Sequence, residues 1–339
     1  MFRLTKRRFA SAALVVGLAV GTALTSTPAS AAGTGYIFIS NERTHNVLVL
    51  DPANNFSVVA SIPTSRRPRD LQINKAHTLL YVACGDDDVI DVIDIETLTV
   101  IDHIPTGRSP EMFVLNAEET QLFVSNEENS TAQVIEIADK IIVHEIPTGA
   151  EPEGVMLSPD GATLYVTSEI ADMVHVVDVA AGVVTDNVIV GTRPRRFAIA
   201  NNDAELWVSD ELSGTVTIID RATNRVIDQL QFLPPGFRQV DVTPVGILLS
   251  PDGQTMYVTM GRANHVAFVN VATRAIEGYT LVGSRAWGLA LSGDQTQLYV
   301  TNGLSDDMSV IDLASRRNIL TVPTGRVPHS IVVDNEPDV

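Results

Sequence analysis

Short apolar runs, several of them alternating apolar with polar residues, recur along the chain between clusters of Gly, Pro, Asn, Asp and Ser, and no segment shows a sustained helical period. This pattern predicts strands joined by tight turns. Residues 148–179, TGAEPEGVMLSPDGATLYVTSEIADMVHVVDV, show the unit: strand A near Gly154 to Leu157, strand B near Thr163 to Thr167 and strand C near Val174 to Val179. A fourth, strand D, falls near Val183 to Val190. Ser158-Pro-Asp-Gly161 joins A to B, and Ser250-Pro-Asp-Gly253 does the same later; proline presets the first corner and glycine takes the positive φ.

The unit repeats. Aligning the aromatic-aliphatic pair of strand B gives Phe38-Ile39, Tyr81-Val82, Phe123-Val124, Tyr165-Val166, Trp207-Val208, Tyr257-Val258 and Tyr299-Val300, at steps of 43, 42, 42, 42, 50 and 42 residues. Asp51, Asp94, Glu136, Asp178, Asp220, Asn270 and Asp312 keep the same steps. Four strands at this period are the signature of propeller blades, so the fold expected is all-β, a seven-bladed β-propeller of four-stranded antiparallel blades. The ends close the ring: the repeats begin with a B strand, Tyr36 to Ser40, and finish with an orphan A strand, His329 to Asp334, which together complete one blade. The longer step places a loop extension at FLPPGFRQVDVT, residues 232–243.

Residues 1–32 differ in kind. Arg3, Lys6, Arg7 and Arg8 precede an apolar run from Ala10 to Leu24, and small residues at Ala29 to Ala32 suit cleavage. They read as a secretory signal peptide, leaving residues 33–339 as one propeller domain in the periplasm or outside the cell. Without the signal, 19 basic residues stand against 41 acidic ones, a formal charge of −22. Such a surface repels nucleic acid and anionic headgroups, and no later run is long enough for a membrane span. Cys84 is the single cysteine, which excludes an internal disulfide and a C-x-x-C-H haem attachment. It reads as inert.

In a propeller the D to A and B to C loops gather at one mouth of the central channel, where ligands collect. The D to A loops carry Pro68, Pro110, Pro152, Pro194, Pro244 and Pro328, with Ala286 in the seventh place. The residues that follow should begin strand A at the mouth: Arg69, Glu111, Glu153, Arg195, Val245, Trp287 and His329. Six-residue windows around these prolines hold nine of the 19 basic residues, all arginines, Arg196 and Arg285 among them, and five acids. A strongly acidic chain thus concentrates a local +4 there. Arginine grips planar carboxylates with paired donors and Trp287 offers a face for a flat ring, so a small, flat anionic ligand fits this inventory. Equally, Glu42, Glu127, Glu169 and Glu211 share one B to C loop position and would pair with these arginines. His329 with Glu111 or Glu153 could form an acid and base pair. No zinc or nucleophile-elbow motif is present, and Asp86-Asp87-Asp88 and Asp306-Asp307 read as solvated turns rather than metal ligands.

Units such as TLYVTSEIADMVHVVDV and QLYVTNGLSDDMSVIDL resemble the YVTN-repeat family of seven-bladed propellers. Blade-specific segments, RRPRDL (66–71), SPEMF (109–113), EPEG (151–154), TSEIADM (167–173), RPRRF (193–197), TPVGILLSPDG (243–253) and GSRAWGLAL (283–291), resemble the propellers associated with pyrroloquinoline quinone (PQQ) dependent catabolism. That resemblance implies a non-catalytic periplasmic accessory to quinoprotein alcohol oxidation. Its implied partners are a quinoprotein dehydrogenase or cytochrome c, or PQQ itself as a small anionic ligand, bound by a monomer. PQQ is flat with three carboxylates, which suits Arg69, Arg195, Arg196, Arg285 and Trp287. The alternatives are a lactonase- or lyase-like enzyme using the same mouth, and a surface interaction scaffold.

Overall fold

A computed structural model describes residues 1, 2 and 33 to 335. Most of the expected signal segment lies outside the described residues. Among the described residues no helix is long and apolar enough to cross a membrane.

The alternating pattern folds as 28 strands in seven separate four-stranded antiparallel sheets, a seven-bladed propeller. Blades 2 to 7 run continuously from strand A to strand D, as in blade 4: Pro152–Leu157, Thr163–Ser168, Met173–Asp178 and Val183–Ile189. Blade 1 takes strands B, C and D from Ile37–Asn41, Asn46–Asp51 and Ser57–Pro63, and its strand A from Pro328–Val333. Phe38 pairs with Val332 in that closing ladder, so the edge that an open ring would expose is covered.

Burial follows position within the blade. Strand B is buried along nearly its whole length, whereas strand D hides essentially one side chain, such as Ile62, Ile104 or Ile146. The apolar side chains meet between blades in seven clusters, one for each interface, including that of blade 7 with blade 1 (Tyr299 and Met308 with Ile37 and Leu50). The recurring acid after strand C caps the next turn; Asp94, Asp178, Asp220 and Asp312 each accept a backbone N–H three residues on. Both SPDG turns place glycine at φ +70°.

One boundary differs from expectation. Strand A starts at the loop proline in five blades and at Ala286 in blade 7, but in blade 6 only at Ile247, three residues past Pro244. The extension precedes this start: Phe232 is fully buried, Phe237 packs edge-on to His265 and the Thr243 hydroxyl accepts from Arg262 N (2.8 Å), while Val245 N still donates to the Thr259 carbonyl (3.1 Å) and Thr259 N to that of Gly246 (2.9 Å).

Candidate functional site

The mouth is built by hydroxyls on strand B. Ser40, Ser125, Thr167, Ser209, Thr259 and Thr301 donate to the carbonyls of Arg69, Glu153, Arg195, Val245, Trp287 and His329, each on the next blade, at 2.5 to 3.1 Å. Each hydroxyl also accepts an N–H from strand A of its own blade, as from Met112 or Gly154, or in blade 6 from Gly246 just before it. Each mouth residue is thereby pinned across a blade boundary; only Glu111 lacks the tie, because blade 2 carries Ala83 there. The approach is close enough to require glycine: a Cβ on Gly154 or Gly246 would lie 2.1 Å from the carbonyl oxygen of Arg195 or Trp287.

The residue before the loop proline, or before Ala286 in blade 7, is left-handed in most blades, with φ of 59° at Arg67, 60° at Arg193 and 61° at Arg285. B to C loops hold these turns. Asp88, Asp172, Asn264 and Asp306 accept the backbone N–H of Ser109, Arg193, Arg285 and Val327 at 2.8 to 2.9 Å. The acidic turns are therefore loop supports, and no acidic or histidine cluster with metal-holding geometry occurs among the described residues.

The structure brings all eight expected residues, Arg69, Glu111, Glu153, Arg195, Arg196, Arg285, Trp287 and His329, into one layer, together with groups the proline windows left out. Arg69 pairs with Glu42 (2.5 Å), Glu111 (2.5 Å) and Glu153 (3.5 Å). Arg195 pairs with Glu153 (3.2 Å), Glu211 (2.8 Å) and Glu169. Arg67 reaches Glu111 (2.7 Å), Arg193 reaches Glu169 (2.7 Å) and Arg285 reaches Glu211 (3.3 Å). The local +4 is thus offset by the B to C loop glutamates, and the expected ion-pair ties hold for these arginines.

Two details of the expected site change. Arg69, Arg195 and Arg196 are buried, with side chains 5% to 13% exposed; the solvent-facing guanidiniums are those of Arg67, Arg193 and Arg285 at 22% to 39%. Trp287 is only 8% exposed. Arg285 (4.9 Å) and Arg195 (5.2 Å) lie over its rings and His329 packs against it at 5.0 Å, so it is a pillar rather than an open platform. Gly303 makes room for it, since a Cβ there would sit 2.9 Å from the indole. Above the layer lies a cavity of about 250 Å³ whose walls include Arg67, Arg193, Arg285, Trp287, Glu42 and Glu127.

Burial without enough cations separates the carboxyls. Glu153 is held at about 2 because Arg195, Arg69 and Arg196 outweigh its desolvation. Desolvation, reinforced by Glu153 and Glu211, pushes Glu169 up to about 8, and desolvation raises Glu111 well above its ordinary range. At neutral pH Glu169 holds a proton, and burial favours the neutral form of Glu111 against the pull of Arg69 and Arg67. His329, buried beside Arg69 and Arg196, is held well below its ordinary value and is neutral. Its Nδ1 meets the Ser330 hydroxyl (3.1 Å), and the nearest carboxylate to Nε2 is Glu42 at 4.0 Å, beyond a hydrogen bond. The acid and base pair expected with Glu111 or Glu153 is not formed. Cys84 is buried and its thiol raised by desolvation, which matches the inert reading.

Comparisons with known proteins agree with this architecture. The family described as "Lactonase, 7-bladed beta-propeller" matches residues 141–231. The chain is similar to the seven-bladed lactonases over that part. No curated protein matches it. Among solved structures, the Pseudomonas aeruginosa periplasmic gluconolactonase is similar at 20% identity, with a TM-score of 0.74 over 89% of this chain and 99% of that one. Hydrazine synthase of Kuenenia stuttgartiensis is similar at 20% identity, TM-score 0.73, over 86% and 99%. A functionally unknown protein from Desulfotomaculum acetoxidans is similar at 16% identity, TM-score 0.76, over 89% and 99%. At these identities the likeness is one of fold.

Proposed function

We propose that the chain is an exported, monomeric binding protein whose mouth cavity takes a small, flat organic anion, and that Arg67, Arg193 and Arg285 make the contacts. The observation that carries this is a cavity walled by the three partly exposed guanidiniums of Arg67, Arg193 and Arg285, next to Glu169, whose carboxyl is pushed up to about 8. Paired arginine donors suit carboxylates, and the Trp287 and Leu304 walls suit a ring edge. PQQ is the candidate that the sequence resemblance adds, and a periplasmic quinoprotein dehydrogenase or its cytochrome c would then be the protein partner.

Calorimetric titration of PQQ into the protein and two variants tests this. Arg285→Ala removes an exposed guanidinium with one long ion pair, so the fold should persist while affinity falls roughly tenfold, the loss of one charge-assisted contact. Arg193→Ala should act likewise. Unchanged affinity in both would end the proposal.

A second reading, lactone hydrolysis, draws on the match to residues 141–231, which contains Glu153 and Glu169. Carboxyls driven to opposite protonation states are what acid and base roles need. Glucono-δ-lactone hydrolysis above the spontaneous rate, abolished in Glu169→Gln, would favour that reading; a rate equal to the spontaneous one removes it.

A further inference from the structure

The seven blades act as controls for one another. On the mouth face each presents two outward positions, the second residue of the B to C loop and the last residue of strand D. In blades 1 to 3 these are Arg43, Asp86 and Glu128, and Pro63, Pro105 and Pro147. In blades 4, 5 and 7 the loop position becomes Ile170, Leu212 and Leu304, and strand D ends on Ile189 in blade 4 and Leu281 in blade 6. The blade 5 to 6 extension, which packs on the same face, adds Val240. All six side chains are 52% to 74% exposed. The exposed aliphatics of blades 1 to 3, such as Val58, Ile101 and Ile141, lie instead in the first half of strand D, away from the mouth. Leu, Ile and Val at that exposure present on the order of 100 Å² each, so the arc on blades 4 to 7 approaches the roughly 800 Å² that one partner gives to a standard interface.

Two exposed cations mark this arc, Arg262 at blade 6 and Arg326 at its blade 7 end, and neither makes an ion pair among the described residues. A bilayer interface takes up aromatic rings and lysines at such tips, and the six tips include neither. A second copy seated arc against arc would offer these arginines only aliphatic tips and one another, while adding another strongly acidic body. We infer that the arc is the docking surface for a different protein, one presenting an apolar patch edged by carboxylates that meet Arg262 and Arg326. Leu304 is also a wall of the mouth cavity, so a protein seated here reaches the cavity rim. Docking on the arc needs no ligand in that cavity.

A photocrosslinking amino acid placed at Leu212, at Leu304 and, as control, at Asp86 tests this in the native host, followed by calorimetric titration of the purified captured protein. Positions 212 and 304 should join the same second protein and position 86 should not. That protein should bind the wild type saturably, and Leu212→Asp, Leu304→Asp and Arg262→Glu should each weaken it roughly tenfold or more. Asp86→Ala should leave its affinity unchanged. These are exposed positions, and an unaltered thermal midpoint in each variant shows that the fold persists. The inference is overturned if neither arc position yields an adduct, or if the adducts join only copies of this chain or phospholipid. It is also overturned if the captured protein binds both leucine variants as tightly as the wild type. A failed PQQ titration would leave the docking result standing, and failed docking would leave the ligand reading standing.

Discussion

Glu153 and Glu169 share the guanidinium of Arg195, yet one is driven down to about 2 and the other up to about 8. Four buried carboxyls have folded values above their unfolded ones, all chiefly through desolvation: Glu111, Glu169, and Asp70 and Asp210 at about 6. Their stabilising contribution is complete below the unfolded carboxyl range near pH 4 and is lost as pH rises through 6 to 8. Glu153 has the opposite sign, with its contribution lost as pH falls from its ordinary 4.5 towards 2. Thermal unfolding should therefore show a midpoint lower at pH 8.5 than at pH 5 by on the order of 5 °C, with the drop reduced in Glu169→Gln; a midpoint that rises over that interval contradicts the charge layer. Arg195→Ala belongs to the same network. It strips a shared partner from Glu153, Glu169 and Glu211 and should cost about 3–5 kcal/mol in chemical denaturation, so it probes the fold more than the ligand. Counting charges near the prolines located the arginines but not which of them open to solvent. That depends on the left-handed turn at Arg67, Arg193 and Arg285, and arginine carries no sequence signal for such a turn.

At the level of strands, the period of the apolar pairs and the SPDG turns were legible because each reflects a local rule: alternation for half-buried strands, and glycine for a positive φ. The hydroxyl after the B-strand pair was visible as a recurring Ser or Thr, but its role needs two blades in contact and could not be read from one. Ser209→Ala leaves the Arg196 N–H and the Val245 carbonyl without their shared partner. It should cost about 1–2 kcal/mol in urea denaturation; no loss would mean that water replaces the tie. Gly246→Ala places a methyl 2.1 Å from the Trp287 carbonyl. It should destabilise by several kcal/mol and displace Trp287, seen as a change in tryptophan fluorescence. The late start of strand A in blade 6 was invisible in the sequence, since Thr243-Pro-Val245 carries the same loop signal as the other blades, and Val245 and Gly246 still bond Thr259 of strand B through the backbone.

For the whole molecule, closure by strands from both ends followed from the repeat register alone, because a B strand at the start and an A strand at the finish leave one blade to complete. The charge layer did not follow so simply. Windows drawn around one loop type saw arginines, while the glutamates that balance them enter from the other loop type of neighbouring blades. In the proposed reading, what draws an anion to the mouth is the raised carboxyl of Glu169, a property of the closed ring. The most direct test of the account is calorimetric titration of PQQ at pH 6.5 and pH 9, values that bracket Glu169. The ligand's carboxylates and the arginines keep their charges over that range, so the change in the site comes from the glutamates. Saturable binding that weakens roughly tenfold at pH 9 is the expected result; equal affinity at the two values, or no saturable heat at either, would contradict it.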